Sequence, residues 1–378
     1  MNLNYLGDAL FTTPALASLR ARYPDASIEV LAGERAAAIL AGNPNIDRVL
    51  VRPRRSGSAR ASAFARTIRT GRYDAAVLFQ SIASNAALAW LLGVPIRVGF
   101  AQDGCTPFLT HRVAERRAGE HVVEAYLRLA DAVPEATDSG KSAPPPLSIA
   151  ISTEDRAFAD HVFRHHELMP PVVGLVIGAT RPQKRWPEEY WARLAEKLWS
   201  TQSVSCVLLG GPEEVEAAQR VMALAPNTPL SSLVGKTSEK QLAALVDRLG
   251  LVISGDSGPL HIATAMATPV VALFGSTDPA ETGPWQGGSA AARSPCAPAV
   301  VLYDALACAP CRKNPTCGGR FDCLKSFTPE RVFESACDLL ALPLRRTALP
   351  MIAASAPRTP AVAVSGGSPR RISEGGSR

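Results

Sequence analysis

Residues 255–258 read Gly-Asp-Ser-Gly, a short polar segment between an apolar run and a proline suited to the start of a helix. Asp256, Ser257 and Gly258 offer a carboxylate, a hydroxyl and a backbone N–H, and His261 follows three residues later. Helix N-termini attract anions, because their first N–H groups lack partners and the helix dipole is positive there. The segment therefore predicts contacts to a phosphate or sugar, although His261 fits a buried core residue equally well.

A basic loop at residues 178–187 precedes a second predicted helix. Thr180, Lys184 and Arg185 lie in this loop, which follows a predicted buried strand. Cationic and hydroxyl groups at such a place stabilise a departing diphosphate by neutralising its charge. The alternative is an ordinary basic loop anchored by the packing of Trp186.

Asp8 follows a glycine in front of a predicted helix that spans Thr13–Arg22. Thr12 or Thr13 is the expected N-cap residue of that helix, and both are candidate substrate contacts. Asp8 is a candidate general base that removes a proton from an attacking hydroxyl. Its alternative role is a capping or electrostatic one at the helix N-terminus.

Glu213 follows a pair of glycines after another predicted strand. The glycines allow a ligand to approach the backbone closely, and a carboxylate here accepts hydrogen bonds from ribose hydroxyls. A plain helix start with acidic residues in its first turn explains the same sequence.

Four of the eight cysteines, Cys308, Cys311, Cys317 and Cys323, follow the spacing C-x2-C-x5-C-x5-C. Four neighbouring thiols can hold zinc in a tetrahedral site. The second pair lacks the C-x2-C spacing of ordinary zinc sites, so we favour free thiols in a loop near the cleft and no bound metal.

Arginine is concentrated in two regions of the chain. Residues 345–378 hold six arginines against one glutamate, which accounts for most of the net charge of +6 and argues against nucleic-acid binding by the folded part. Residues 52–72 hold seven arginines and no acid. Arg54 and Arg55 are therefore candidate contacts for an acidic acceptor or an anionic membrane surface, with a solvated loop and helix face as the alternative.

Short apolar strands alternate with amphipathic helices along most of the chain, which predicts an α/β fold with parallel sheets. We expect a Rossmann-like acceptor domain at 1–136, a proline-rich linker at 137–146 and a Rossmann-like donor domain at 147–342 that includes the cysteine-rich loop 308–323. A disordered basic tail is expected at 343–378. The sequence shows neither a signal peptide nor an apolar run of about 18 residues, so we expect a cytoplasmic protein.

Four segments in this order resemble the glycosyltransferase family 9 heptosyltransferases, and the likeness extends to about residue 340. They are Gly-Asp-Ala-Leu-Phe-Thr-Thr-Pro at 7–14, Lys-Arg-Trp-Pro at 184–187, Asp-Ser-Gly-Pro-Leu-His at 256–261 and Phe-Gly-Ser-Thr-Asp-Pro at 274–279. The resemblance implies a GT-B fold and an inverting transfer of heptose from ADP-heptose to the lipopolysaccharide core. It also implies that Asp8 is the base, that Lys184 contacts the diphosphate and that no metal is needed.

The implied acceptor is a phosphorylated lipopolysaccharide core on lipid A, at the cytoplasmic face of the inner membrane. Family members begin with a hydrophobic strand before the glycine–aspartate pair, whereas only six residues precede Gly7 here, so we expect an incomplete first strand. Two alternatives remain: a GT-B transferase with another sugar donor or acceptor, and a non-catalytic nucleotide-sugar-binding protein. The presence of both Asp8 and Lys184 argues against the latter.

Overall fold

The computed structural model is an α/β protein in which all strand pairings among the described residues are parallel. The structure describes residues 6–52, 71–102, 104–134, 143–287 and 297–341. Arg54, Arg55, the tail 343–378, most of the predicted linker and the expected first strand lie outside these ranges.

The described strands form three groups. The strands are β1 (Glu29–Ala32), β2 (Arg48–Val51), β3 (Ala75–Leu78), β4 (Ile96–Phe100), β5 (His111–Val113), β6 (Val172–Val176), β7 (Ser205–Leu209), β8 (Leu230–Ser232), β9 (Leu251–Gly255), β10 (Val270–Phe274) and β11 (Ala299–Tyr303). Strands β1 and β2 pair with each other, β3, β4 and β5 form a second group, and the other six form one sheet in the order β11-β10-β9-β6-β7-β8.

Twelve helices lie within the described residues. They are α1 (Leu6–Arg22), α2 (Glu34–Leu40), α3 (Ala83–Leu91), α4 (Val122–Asp131), α5 (Thr153–His165), α6 (Glu188–Gln202), α7 (Val215–Leu224), α8 (Glu239–Val246), α9 (Gly258–Ala265), α10 (Pro279–Thr282), α11 (Asp322–Lys325) and α12 (Pro329–Leu340). Short 3₁₀ turns occupy Thr106–Phe108, Pro182–Lys184 and Pro212–Glu214. Among these segments, none has the length and apolar character that a membrane-crossing helix needs.

The six-stranded sheet positions three of the predicted loops at one edge. Strands β6, β9 and β10 are buried along their whole length, as expected for parallel strands covered on both faces. Strand β9 lies between β6 and β10, and all three run in the same direction. Their carboxyl ends therefore bring the loops with Lys184, Asp256 and Thr277 together, which is where open parallel sheets bind ligands.

Helix α1 begins at Leu6, so the predicted start near Thr13 is wrong and Asp8 lies in the first helical turn. Thr12 and Thr13 are fully buried, and their hydroxyls donate at 2.7 Å to the carbonyls of Ala9 and Leu10. The N-cap prediction is therefore wrong, because both threonines lie inside the helix, and their contacts to a substrate stay a prediction.

The threonines also explain how the helix passes through Pro14. Proline has no N–H to offer the carbonyl four residues earlier, which belongs to Leu10. The Thr13 hydroxyl donates to that same carbonyl and replaces the missing bond. Helix α1 can therefore continue across a proline that ordinarily indicates a helix start.

The described residues within 1–343 form a compact unit with a shared apolar core. One buried cluster joins Leu10 of α1, Leu129 of α4 and Ile262 of α9, so helices from both halves of the chain contribute to it. Residues 344–378 lie outside the description. The domain boundary at 137–146 remains a prediction.

Candidate active site

Asp256 joins the three loops at the edge of the six-stranded sheet. Its Oδ2 atom accepts hydrogen bonds from Lys184 Nζ at 2.5 Å and from Thr277 Oγ1 at 2.6 Å. The side chains of Lys184 and Asp256 are only 19% and 8% exposed, so this ion pair is largely removed from water. A diphosphate carries more negative charge than one carboxylate, so it can compete with Asp256 for this ammonium group.

The close approach of these loops depends on Gly255 at the end of β9. A Cβ atom at this position would lie 2.8 Å from the carbonyl oxygen of Lys184. Only glycine leaves room for the backbone of the Lys184 turn to pass across the strand end.

Asp8 faces the same space from α1. Its Oδ2 accepts a hydrogen bond from Gln80 Nε2 at 3.5 Å, and burial raises the pKa of its carboxyl above the ordinary value. The Gln80 hydrogen bond and the positive charges of Lys184 and Arg116 oppose this rise in pKa, whereas the charge of Asp256 adds to it. A carboxylate with a raised pKa is a stronger proton acceptor, as a general base requires.

His261 is both a core residue and a neighbour of the predicted site. Its ring lies 4.4 Å from that of Phe11, between centroids, and its Nε2 is 3.9 Å from Asp256 Oδ1. Burial lowers the pKa of His261 to about 4, so the ring is neutral near pH 7. The buried Nδ1 has no hydrogen-bond partner within the described part of the chain.

The remaining predicted contacts occupy the rim of these loops. Ser257 precedes α9 with its hydroxyl 3.0 Å from that of Ser254, and Gly258 begins the helix. Thr180 and Arg185 are exposed, and Arg185 Nε donates to the carbonyl of Ala179 at 2.9 Å.

The carboxylate buried beside the glycine pair belongs to Glu214, whereas the predicted Glu213 is exposed. Glu214 Oε2 accepts a hydrogen bond from the Gly211 N–H at 2.7 Å, and burial raises the pKa of its carboxyl. A Cβ atom at Gly178 would lie 2.5 Å from Glu214 Cδ, so the side chain spans the ends of β6 and β7. Glu214 lies three residues after Gly211, but a glycine has no side chain to complete a capping box, so the sequence alone does not separate Glu214 from Glu213.

Several site residues were missed by the sequence analysis. Gln80 and Thr277 are bound to Asp8 and Asp256, and Arg116 places its charge near Asp8. Gln80 and Arg116 lie in loops without a motif. Thr277 lies in the segment 274–279, but nothing in that segment indicates that its hydroxyl binds Asp256.

The four clustered cysteines surround one cavity of about 120 Å³ beside Gly275. Burial raises the pKa of the Cys311 and Cys323 thiols, and all four cysteines are free thiols in the structure. Within the described ranges, no group of three or more His, Cys, Asp or Glu side chains has an arrangement that could hold a metal ion. The function of this cluster therefore stays a prediction.

Comparison with known proteins identifies the family. Residues 61–308, more than half of the chain, match glycosyltransferase family 9 (heptosyltransferase). Lipopolysaccharide heptosyltransferase 2 of Escherichia coli K12 is 27% identical over 354 residues, which cover 89% of this chain and 96% of that protein.

Solved structures agree with this assignment. The crystal structure of a family 9 glycosyltransferase from Veillonella parvula has 29% sequence identity and a TM-score of 0.75, covering 90% of this chain and 95% of that one. The structure of the E. coli ADP-heptose lipopolysaccharide heptosyltransferase II has 23% identity and a TM-score of 0.71, covering 90% and 97%. The predicted α/β fold of GT-B type is confirmed. The chain belongs to glycosyltransferase family 9, the heptosyltransferase family.

Proposed function

We propose that this protein transfers a heptose from ADP-heptose to a hydroxyl of the lipopolysaccharide core, with inversion at the anomeric carbon. Two of its relatives, a lipopolysaccharide heptosyltransferase 2 and an ADP-heptose lipopolysaccharide heptosyltransferase II, support this donor and acceptor. One observation carries the proposal: the first turn of α1, with Asp8, packs against His261, whose Nε2 lies 3.9 Å from Oδ1 of Asp256, the partner of Lys184. The lysine charge lowers the pKa of Asp8 across this space. A proton acceptor and a diphosphate contact thus share one cleft.

Lys184 and the N-terminus of α9 bind the diphosphate of the donor. The diphosphate competes with Asp256 for the Lys184 ammonium, since it carries more negative charge than a single carboxylate. Asp256 keeps its hydrogen bond from Thr277. Once Lys184 has turned to the diphosphate, the Asp256 carboxylate can accept hydrogen bonds from the sugar. As the glycosidic bond to phosphate breaks, the bonding electrons leave with ADP, and Lys184 stabilises the added charge without the need for a metal.

Asp8 acts on the acceptor side of the cleft. Its carboxylate takes the proton of the acceptor hydroxyl while that oxygen forms the new bond to the anomeric carbon. The hydrogen bond from Gln80 orients the carboxylate for this step. Burial helps, because it raises the pKa of Asp8 towards that of an effective base.

The acceptor in this proposal is a lipopolysaccharide core on lipid A at the cytoplasmic face of the inner membrane. Its phosphate groups suit the arginine-rich segment 52–72, including Arg54 and Arg55. Residues 53–70 of that segment lie outside the described residues, so the assignment depends on composition.

Asp8→Asn tests the base. The substitution keeps the shape of the side chain but removes its basicity, so turnover should fall by about 10²–10⁴-fold while ADP affinity is retained. Asp247→Asn is the matched control, since Asp247 forms an ion pair with Arg156 at 2.9 Å outside the cleft. Product formation is followed by mass spectrometry, and ADP binding by calorimetry.

Lys184→Met provides the complementary test: it should weaken ADP binding as well as turnover, because it removes a charge from the leaving group. An Asp8→Asn enzyme with normal turnover would contradict the role of Asp8. A screen in which another nucleotide sugar is transferred faster than ADP-heptose would contradict the donor assignment.

A further inference from the structure

Glu281 in α10 is a buried carboxylate that joins two arginines from distant parts of the chain. Its Oε1 accepts a hydrogen bond from Arg312 Nη2 at 2.6 Å, and its Oε2 accepts one from Arg116 Nη2 at 3.3 Å. The residue is only 7% exposed, so its charge depends on these partners. Arg116 follows β5, whereas Arg312 belongs to the cysteine-rich loop 308–323.

Arg312 is fixed by its backbone as well as by its side chain. Its φ angle of +53° lies in the left-handed region, which a residue with a side chain adopts only when its surroundings support it. Its N–H donates to the Ser276 carbonyl at 2.6 Å, and its own carbonyl accepts from Gln183 Nε2 at 3.0 Å. Arg312 is thus anchored to the loops that carry the Asp256 cluster.

Arg116 connects this anchor to Asp8. The His121 ring joins α10 to α1, because its Nε2 donates to the Gly283 carbonyl at the end of α10 at 3.2 Å and its centroid lies 5.6 Å from that of Phe11, one turn after Asp8 on α1. Arg116 is bound to α10 at this junction, and its positive charge lowers the pKa of the Asp8 carboxyl. The other charges that act on Asp8 are those of Lys184 and Asp256. From α4, Tyr126 also faces Asp8, whose charge raises the pKa of that phenol.

Within the part of the chain that the structure describes, the other helices packed on α1 place no further charge near Asp8. Helix α9 presents His261, which burial keeps neutral near pH 7. At the N-cap of α4, burial lowers the pKa of His121 to about 4, so that ring is neutral as well. On α2, the charge of Arg35 acts on Glu214 instead.

We propose that Glu281 is a positioning residue for the reaction: it holds the Arg116 guanidinium beside Asp8 by joining it to Arg312 of the cysteine-rich loop. The inference rests on the proposed role of Asp8 as base. It connects the loops that carry Lys184 and Asp256 to the proposed base. The connection consists of the buried Glu281 carboxylate and the guanidinium groups of Arg116 and Arg312.

Glu281→Gln tests the link through the pH dependence of kcat/KM. Loss of Arg116 positioning raises the pKa of Asp8, so the acidic limb of the profile should move to higher pH by roughly 0.5 unit. A close opposite charge changes a pKa by about 1–3. We expect a smaller change for Asp8, because water screens the partly exposed Arg116. The sign is diagnostic: loss of a negative charge acting directly through space would move the limb to lower pH.

Two further variants approach the link from its other end. Arg116→Gln should move the limb in the same direction, and adding Glu281→Gln to it should cause no further shift. Arg116→Lys keeps the charge and should shift the limb less. These variants keep the test usable if Glu281→Gln folds poorly.

Asp304→Asn is the matched control. Asp304 accepts two hydrogen bonds from Arg331, at 2.8 and 3.0 Å, so the variant removes a comparable ion pair outside the cleft. It should leave the pH profile unchanged even if thermal stability falls. An unchanged or downward-shifted limb in Glu281→Gln would overturn the positioning role, whereas an active Asp8→Asn would overturn the proposed function instead.

Discussion

Gly7→Ala places a methyl group where α1 meets α9. The new Cβ would lie 2.9 Å from His261 Cδ2, whereas ordinary contacts begin near 3.4 Å, so about 0.5 Å of separation is missing. The His261 ring cannot retreat easily, because it is buried and packs against Phe11 with 4.4 Å between centroids. We therefore expect the first turn of α1 to move, and Asp8 to move with it.

Two opposing terms set the effect of this substitution on stability. Alanine favours a helix over glycine by about 0.5–1 kcal/mol, and overpacking a close contact costs about 1–3 kcal/mol. The net loss should be near 1 kcal/mol. Activity should suffer more: a misplacement of about 1 Å can cost about 10²-fold, so a shift of about 0.5 Å predicts a decrease in kcat of roughly tenfold.

Gly174→Ala is the control for overpacking alone. Its Cβ would lie 2.6 Å from Leu249 Cδ1 and 2.9 Å from Leu209 Cδ1, inside the six-stranded sheet and away from the cleft. Kinetics at saturating substrate and thermal melts of both variants separate the two effects. Gly7→Ala should lose kcat, whereas Gly174→Ala should lose only stability. A Gly7→Ala enzyme with the normal kcat would refute the argument that α1 and His261 fix the position of Asp8.

Two further predictions concern pH and thiol reactivity. Burial lowers the pKa of His261 and His121 to about 4, so the unfolded chain takes up protons first as the pH falls below 6.5. The free energy of unfolding should then decrease between pH 6.5 and 4, by at most roughly 3 kcal/mol per histidine. The decrease should be smaller if the buried carboxyls of Asp8 and Glu214 act in the opposite direction, because their pKa is raised. Denaturant titrations at pH 7 and 4.5 that give equal free energies of unfolding would contradict this prediction. Iodoacetamide should label Cys308, which is exposed, and Cys317, whose thiol pKa is lowered by backbone hydrogen bonds, before the buried Cys206, whose pKa is raised to about 12. Peptide mass spectrometry checks the order, and early labelling of Cys206 would contradict it.

The parallel sheet and the meeting of Lys184 with Asp256 could be predicted from the sequence. Buried parallel strands leave an uninterrupted apolar pattern, and their carboxyl ends meet at one edge whatever the details of the loops. Proline and threonine gave a misleading signal in α1, because the Thr13 hydroxyl satisfies the carbonyl that Pro14 leaves without a partner. A propensity argument cannot foresee that compensation.

The charged groups around Asp8 could not be predicted. Arg116 lies in a loop without a motif, Glu281 in a four-residue helix and Arg312 in the cysteine-rich loop, and each has an ordinary surface role as its default interpretation. Likewise, Glu213 and Glu214 are equivalent as sequence, and only the turn after β7 decides which carboxylate is buried. Tertiary contacts determine these placements, so they leave no periodic trace in the chain.

The charges of the cleft suggest how donor binding prepares the base, if the proposed donor occupies the Lys184 loop. Lys184 lowers the pKa of Asp8 and Asp256 raises it, and the effect of the lysine is the larger of the two. A diphosphate bound to Lys184 adds negative charge beside it and offsets the lysine charge, which raises the pKa of Asp8 and strengthens it as a proton acceptor. Arg116, held by Glu281, opposes an excessive rise that would leave Asp8 protonated. Asp8 would then be most basic when the sugar to be transferred is in place.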